Sequence, residues 1–130
     1  MRPSVQAAGI ADRCELVSGD FFDSVPRGAD AYFLRHIIHD WPDKRSLQIF
    51  NNVRRVVPPA GRLLIVEMLV PEDNDASAAK NFDMLMMLFP PEGLERTEHE
   101  YRTLLSGGGF EISRVTPTAS PVSVIEARPV

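Results

Sequence analysis

The stretch RLLIVEMLV, at residues 62–70, constrains the fold of this chain more than any other part of the sequence. Every residue in it is apolar except Arg62 and Glu67. A short, nearly continuous apolar run rich in branched side chains is typical of a strand covered on both faces, as in the sheets of α/β proteins. The stretch therefore predicts an α/β fold and leaves one acid, Glu67, near the end of a buried strand.

Hydrophobic periodicity and turn residues predict further strands and helices around this strand. The strands are expected at residues 15–20, 29–34, 111–118 and 122–129, and the helices at 43–57, 78–89 and 96–110. The run ADAYFL is apolar enough to be a second strand buried on both faces. Asp43 is a candidate N-cap, and Thr97 with Glu100 forms a capping-box pattern. The order of elements predicts a mostly parallel sheet that ends in an antiparallel strand pair.

Charge and cysteine content exclude several classes of function. The net charge of −4 argues against a nucleic-acid partner, which requires clustered Lys and Arg. The single cysteine, Cys14, cannot form an intrachain disulfide and indicates a reducing compartment, so a cytoplasmic location is expected. The longest apolar runs are too short to span a bilayer, so no membrane association is expected either.

Polar side chains gather where the predicted strands end. In open α/β sheets, ligands bind beyond the carboxyl ends of the strands. The stretch RHIIHDWPD, at residues 35–43, follows one predicted strand, and the pair Gly19-Asp20 follows another. Glu67 lies near the end of the third strand, and Glu95 follows the break after the helix at 78–89. We therefore expect these polar groups to converge on one cleft.

Three interpretations of the histidines in this stretch are open from the residues alone. His36 and His39 are three residues apart, which suits a metal on one helix face, and Glu67 or Glu95 could be the third ligand; no zinc-binding pattern such as HExxH is present, so no metal is expected. A neutral imidazole could instead act as a general base, with Glu67 or Glu95 fixing its tautomer. In the third interpretation, His39 and its neighbour only cap the following turn.

Four stretches of the sequence follow the order and spacing of motifs in a known family: GDFFDSVPRGADAYFLRHIIHDWPD, RRVVPPAGRLLIVE, FDMLMML and GLERTEHEYRTLLSGGGF. Through them the sequence resembles the S-adenosylmethionine-dependent O-methyltransferases of small molecules. The family includes plant caffeic-acid and flavonoid methyltransferases and bacterial enzymes that tailor polyketides. The resemblance implies a Rossmann-like class I methyltransferase fold and methyl transfer from S-adenosylmethionine to a hydroxyl of a small aromatic molecule.

The resemblance implies catalytic roles for three residues. The family's His-Asp-Trp motif carries the catalytic base, which is His39 here. The acid that ends the next strand and the acid of the Glu-Arg-Thr motif flank this base, and they correspond to Glu67 and Glu95. The implied reaction is in-line attack of the hydroxyl on the sulfonium methyl while His39 removes the proton.

The resemblance also implies residues for the two ligands. Asp20 and Phe21, at the Gly-Asp pair, and Arg35, four residues before the base, would contact S-adenosylmethionine. Thioether and aromatic side chains pack well on flat rings, so the methionine-rich helix would line the acceptor pocket. The residues expected there are Asp83, Met86 and Phe89.

Two hypotheses follow from the part of the family sequence that this chain lacks. The N-terminal dimerisation domain, the glycine-rich cofactor turn and the first two strands of the family's sheet have no counterpart before Asp20. The chain is either the C-terminal catalytic fragment of an O-methyltransferase or a non-catalytic remnant that associates with another chain. Because unpaired edges of buried strands invite pairing, we expect self-association or a homo-oligomer.

Overall fold

A computed structural model describes residues 2–73, 77–86 and 93–130. The helices are α1 (Arg2–Ala7), α2 (Asp43–Arg54), α3 (Ala78–Met86) and α4 (Glu98–Gly107), and the strands are β1 (Ala31–Arg35), β2 (Arg62–Met68), β3 (Phe110–Pro117) and β4 (Val122–Pro129). Strand and helix alternate from β1 through α2 to β2, as in an α/β fold, and two helices and then two strands follow. Short 3₁₀ helices occupy Ala11–Arg13 and Ile38–Asp40, and we call the second one the histidine turn.

The strands form one sheet in the order β1-β2-β4-β3. β1 runs parallel to β2, with Ala31 opposite Arg62, whereas β4 is antiparallel to both β2 and β3. The α/β class and the antiparallel pair at the C-terminus are therefore confirmed. The sequence predicts a mostly parallel sheet, but the described residues form a mixed one. β2 pairs in parallel with β1 on one side and antiparallel with β4 on the other.

β2 is the central buried strand, as its apolar run predicts. Leu63 and Ile65 are completely buried, and α2 and α4 supply Ile49, Phe50 and Leu105 to the same core. The apolar positions of α2 recur at helical spacing, so one face of the helix packs inward while its Arg and Lys side chains remain outside. This packing fixes the ends of β1 and β2, where the polar side chains gather.

Two strand predictions are corrected by the structure. Residues 15–20 form no strand, because local propensity needs a neighbouring strand and none pairs with this segment in the described part of the chain. The prediction that β1 is buried on both faces is also wrong: its residues alternate between exposed and half-buried, and Phe33 is 60% exposed. In the described residues β1 pairs with β2 alone, so its other edge is open.

The helix ends show one correct and one wrong prediction. The Thr97 capping box at α4 is confirmed, since the Glu100 amide donates to Thr97 Oγ1 and the Thr97 amide donates to Glu100 Oε2. Asp43 is not the N-cap of α2: Pro42 occupies that position, and Asp43 lies in the first turn and pairs with Arg96. The last predicted residues of α3, 87–89, lie outside the described residues.

None of the described helices has the length and apolar character needed to cross a membrane.

Candidate active site

Glu67 organises the polar groups at the carboxyl end of β2. Its side chain is fully buried, and its Oε1 atom accepts three backbone hydrogen bonds, from the amides of Ile37 (3.1 Å), Ile38 (3.0 Å) and His39 (3.3 Å). The first amides of a helical turn have no partner within the turn, so a carboxylate placed there satisfies them. Glu67 therefore fixes the backbone of the histidine turn.

His36 makes the connection from β1 to this turn. Its amide still donates to the Val66 carbonyl at 3.2 Å, but its φ of 51° lies in the left-handed region, which side chains with a Cβ seldom adopt. This reversal turns the following amides towards Glu67. It also places the His36 Nδ1 atom 3.5 Å from the Oε2 atom of Glu67.

His39 lies between two carboxylates. Its side chain is largely buried, and its Nδ1 atom is 2.8 Å from Glu95 Oε1 and 3.5 Å from Glu67 Oε2. The Nε2 atom lies 3.4 Å from Asp40 Oδ1 and has no hydrogen bond of normal length to the described residues. The ring is thus held through one nitrogen, and the other nitrogen is left for a further partner.

The surroundings of the imidazole shift two pKa values. The hydrogen bond to Glu95 raises the pKa of His39, burial of the ring opposes this, and the negative field of Glu67 adds to the increase. Burial raises the pKa of Glu67, whereas the charge of His39 lowers it. The Oε2 atoms of Glu67 and Glu95 are buried and make no hydrogen bond in the described part of the chain. The site can therefore take up a proton beside fixed acceptors.

The segment that carries Glu95 is tied to its surroundings on two sides. The Glu95 amide donates to Asp83 Oδ1 at 2.9 Å, and the Leu94 amide donates to the His39 carbonyl at 2.8 Å. The first bond attaches the segment to α3 and the second attaches it to the histidine turn. These bonds place the Glu95 carboxylate against the His39 ring.

Arg96 clamps the same turn from behind, and sequence reasoning missed it. The guanidinium is 1% exposed; it donates to the carbonyls of Ile38 (3.2 Å) and Trp41 (2.9 Å) and, from two nitrogens, to Asp43 Oδ1 (3.1 and 2.8 Å). A fully buried arginine needs such partners. The only feature of the sequence that could have pointed to Arg96 is its position between Glu95 and Thr97, the N-cap of α4.

The predicted cofactor residues Asp20 and Phe21 lie on a loop that rests on α2. Asp20 Oδ1 accepts from the Phe22 amide at 2.8 Å, and Asn52 Nδ2 donates to the carbonyls of Phe21 (2.9 Å) and Phe22 (2.8 Å). The Phe21 and Phe22 rings also pack edge-on against Trp41, two residues after His39. Asn52 is a second residue that sequence reasoning missed, because no local pattern marks it.

The remaining predicted residues are placed as follows. Arg35 is exposed at the end of β1, directly before His36, and makes no polar contact with His39 in the described residues. Asp83 touches the site through its bond to the Glu95 amide. Met86 is the last residue of α3, and only its backbone is described. Phe89 lies outside the described residues.

Comparison with known proteins gives a consistent result. The sequence profile of the O-methyltransferase domain matches residues 2–111. Phenazine O-methyltransferase PhzM of Lysobacter antibioticus is 46% identical over 123 residues, which are 95% of this chain and 36% of that protein.

Two solved structures have the same backbone arrangement. The crystal structure of LaPhzM matches 98% of this chain and 38% of its own, with 45% identity and a TM-score of 0.92. The O-methyltransferase NcsB1 from neocarzinostatin biosynthesis, in complex with S-adenosyl-L-homocysteine and 1,4-dihydroxy-2-naphthoic acid, matches 99% of this chain and 38% of its own, with 29% identity and a TM-score of 0.87. The chain thus spans somewhat more than a third of the relatives that it matches.

Proposed function

The chain belongs to the O-methyltransferase domain family, and on that premise we propose that it carries the proton-accepting half of a methyltransferase active site. The proposed reaction transfers a methyl group from S-adenosylmethionine to a hydroxyl of a small aromatic molecule. His39 is the proposed general base. The observation that carries the proposal is the buried hydrogen bond of 2.8 Å between His39 Nδ1 and Glu95 Oε1.

This hydrogen bond determines which nitrogen of His39 can accept the proton. A carboxylate accepts the proton on Nδ1, so the neutral ring carries its lone pair on Nε2. Glu95 also stabilises the imidazolium that forms when Nε2 takes a proton from the acceptor hydroxyl. Glu67 holds the backbone of the turn through Oε1, so the ring does not have to reorganise during the reaction.

Part of the methyl-donor site is present in this chain. When bound, S-adenosylmethionine supplies a methyl group on a positively charged sulfur. We propose that Asp20, Phe21 and Arg35 contact it, in line with their matching positions in the family. The loop suits this role because Asn52 holds its backbone and Asp20 engages one carboxylate oxygen internally, which leaves the other oxygen for a ligand.

The acceptor is proposed to be aromatic on the evidence of the relatives. NcsB1 has been solved with a dihydroxynaphthoic acid, and the relative from Lysobacter is a phenazine O-methyltransferase. Asp83, Met86 and Phe89 remain the proposed acceptor contacts. Since one oxygen of Asp83 already holds the Glu95 amide, we propose that Asp83 also positions that acid.

Substitution of the base tests this proposal. In the protein that carries this chain, His39→Gln should lower turnover by about 10²–10⁴-fold, the usual contribution of a general base. The affinity for S-adenosylmethionine, measured by calorimetry, should stay the same. His99→Gln is the matched control, because His99 is exposed on α4. Unchanged turnover of His39→Gln would overturn the assignment of the base.

A second candidate is a non-catalytic remnant that associates with another chain. The observation that favours it is the open edge of β1, together with the lack of a strand at residues 15–20. Calorimetry with S-adenosylmethionine on the 130-residue chain separates the two candidates. Binding in the micromolar range supports the methyltransferase site, and no binding supports the remnant.

A further inference from the structure

We propose that His36, His39 and Glu67 form a binding site for a divalent zinc ion at the end of β2. The ligand set is two imidazoles and one carboxylate, which is a ligand set that zinc accepts in proteins. Glu67 follows 28 residues after His39, so no zinc-binding sequence pattern joins it to the two histidines, and it becomes their neighbour only in the folded sheet.

Two of the distances between the ligand atoms fit a single ion. Tetrahedral zinc with bonds of about 2.1 Å separates its ligand atoms by about 3.4 Å. Glu67 Oε2 lies 3.5 Å from His36 Nδ1 and 3.5 Å from His39 Nδ1. One ligand atom from each of the three residues can be chosen so that all lie within 4.8 Å of one another. Small rotations of the imidazoles would complete the coordination.

A second observation points to a ligand at this position. Glu67 Oε2 is buried and has no hydrogen-bond partner in the described residues, whereas Oε1 accepts three backbone amides. The three amides prevent the carboxylate from turning away, so Oε2 stays directed at the two imidazoles. A buried oxygen without a partner is costly, and a bound cation would remove that cost. The His36 side chain is 38% exposed, so an ion could enter past it.

Zinc would compete with the proposed catalytic arrangement. A metal on His39 Nδ1 displaces the hydrogen bond from that nitrogen to Glu95. If the proposed function is correct, zinc at this site therefore inhibits methyl transfer. This consequence rests on the proposed function, but the binding of zinc itself does not.

The test measures metal binding directly on the chain, without turnover. The metal-free chain is titrated with ZnCl₂ in a calorimeter, and with CoCl₂ while the visible absorption of tetrahedral cobalt is followed. We expect one ion per chain. His36→Asn should weaken binding at least tenfold, because Asn tolerates a left-handed backbone but lacks the imidazole. Circular dichroism checks that the variant keeps its fold.

The matched control is His99→Asn, since His99 is exposed on α4 and lies outside the cluster. This variant should bind zinc as tightly as the unaltered chain. The proposal is overturned if the unaltered chain binds no zinc, if His36→Asn binds it equally well, or if His99→Asn weakens it to the same extent.

The outcomes also separate this proposal from the proposed function. If zinc binding depends on His36 while His39→Gln leaves turnover unchanged, the metal site is supported and the assignment of His39 as base is overturned. Absence of zinc binding, with turnover lost in His39→Gln, removes the metal site and supports the base.

Discussion

The two sides of the candidate site differ in how they are held. On one side, β2 and the helices behind it bury Ile49, Ile65 and Leu105 completely; Glu67 belongs to β2, and Glu95 is buried on the segment held by α3 and the histidine turn. On the other side, no residue between 4 and 30 is buried, and β1 exposes alternate residues. The groups proposed to accept the proton are therefore buried beside the core, whereas the predicted cofactor groups lie on a segment with little core of its own.

The exposed side is nevertheless attached to the packed side. Asn52 of α2 holds the loop that carries Phe21, and the Phe22 ring packs on Trp41 next to the histidine turn. Side-chain hydrogen bonds and aromatic contacts replace the strand pairing that the sequence predicts for residues 15–20. A site can thus keep its geometry when one part of it lacks a neighbouring strand.

The largest expected effect comes from comparing two apolar residues on adjacent strands. Ile65→Ala should lower the free energy of unfolding by about 2–5 kcal/mol, because it leaves a cavity in the core. Phe33→Ala should change it by less than about 0.5 kcal/mol, because the ring is mostly exposed. Urea denaturation of the two variants measures both values. Equal losses would contradict the division between a packed and an exposed side.

Removal of the buried guanidinium should have the next largest effect. Arg96→Met should cost about 2–4 kcal/mol, because the Ile38 and Trp41 carbonyls lose a buried donor. Arg102→Met is the control: Arg102 is exposed on α4 and pairs with Glu98 at 2.7 Å, so loss of its guanidinium should cost less than about 1 kcal/mol. Thermal melts compare the two, and a mild effect of Arg96→Met would argue against the clamp.

An alkaline titration should show the burial of Tyr101. Burial raises the pKa of Tyr101 well above its ordinary value of 10.0, so the folded chain keeps a neutral hydroxyl while the unfolded chain ionises. The stability present below pH 10 should therefore be lost above it, by about 1.4 kcal/mol per pH unit. Urea denaturation between pH 9 and 11 measures this slope. Tyr101→Phe should flatten it, and an identical slope in the two proteins would contradict the assignment.

Loss of Asn52 should loosen the loop without unfolding the core. Asn52→Ala removes the two hydrogen bonds that Asn52 donates to the carbonyls of Phe21 and Phe22, together with the one that its Oδ1 atom accepts from Arg55, and should cost about 1–2 kcal/mol. Amide exchange should become faster at residues 20–24 and stay unchanged at Ile65. Faster exchange throughout β2 would show that the two sides are not separate.

A substitution on the open edge of β1 should have the smallest effect on stability and the clearest effect on self-association. Phe33→Lys should leave the free energy of unfolding almost unchanged and should reduce self-association, because a charged side chain on an edge strand opposes pairing. Sedimentation velocity over a range of concentrations measures this. A compact monomer before the substitution would remove the prediction that the chain self-associates.

The correct predictions concern helices and strands whose signals lie within their own residues. β2 was evident from its apolar run, and α4 was evident from the capping box at Thr97. The prediction of a strand at residues 15–20 was wrong, because strand propensity does not supply a neighbouring strand to pair with. Asp43 was wrong as an N-cap because its carboxylate pairs with Arg96, 53 residues away.

The same distinction holds for the site. The rule that ligands bind at strand ends, together with the family resemblance, selected His39, Glu67 and Glu95, and the structure brings these side chains into contact. Asn52 and Arg96 act on distant backbone carbonyls, so no local pattern could select them. Long-range contacts of side chains with backbone therefore mark the limit of sequence reasoning here.

The three amides bound to one oxygen of Glu67 also set how the site moves. Ile37, Ile38 and His39 cannot be released one at a time without leaving a buried carboxylate partly unpaired. Their hydrogen exchange should follow a single opening event with one common rate, which Glu67→Gln should speed up for all three amides together. His39, the proposed base, would then leave its position only when the whole turn opens, so its alignment depends on one opening event and not on many small fluctuations.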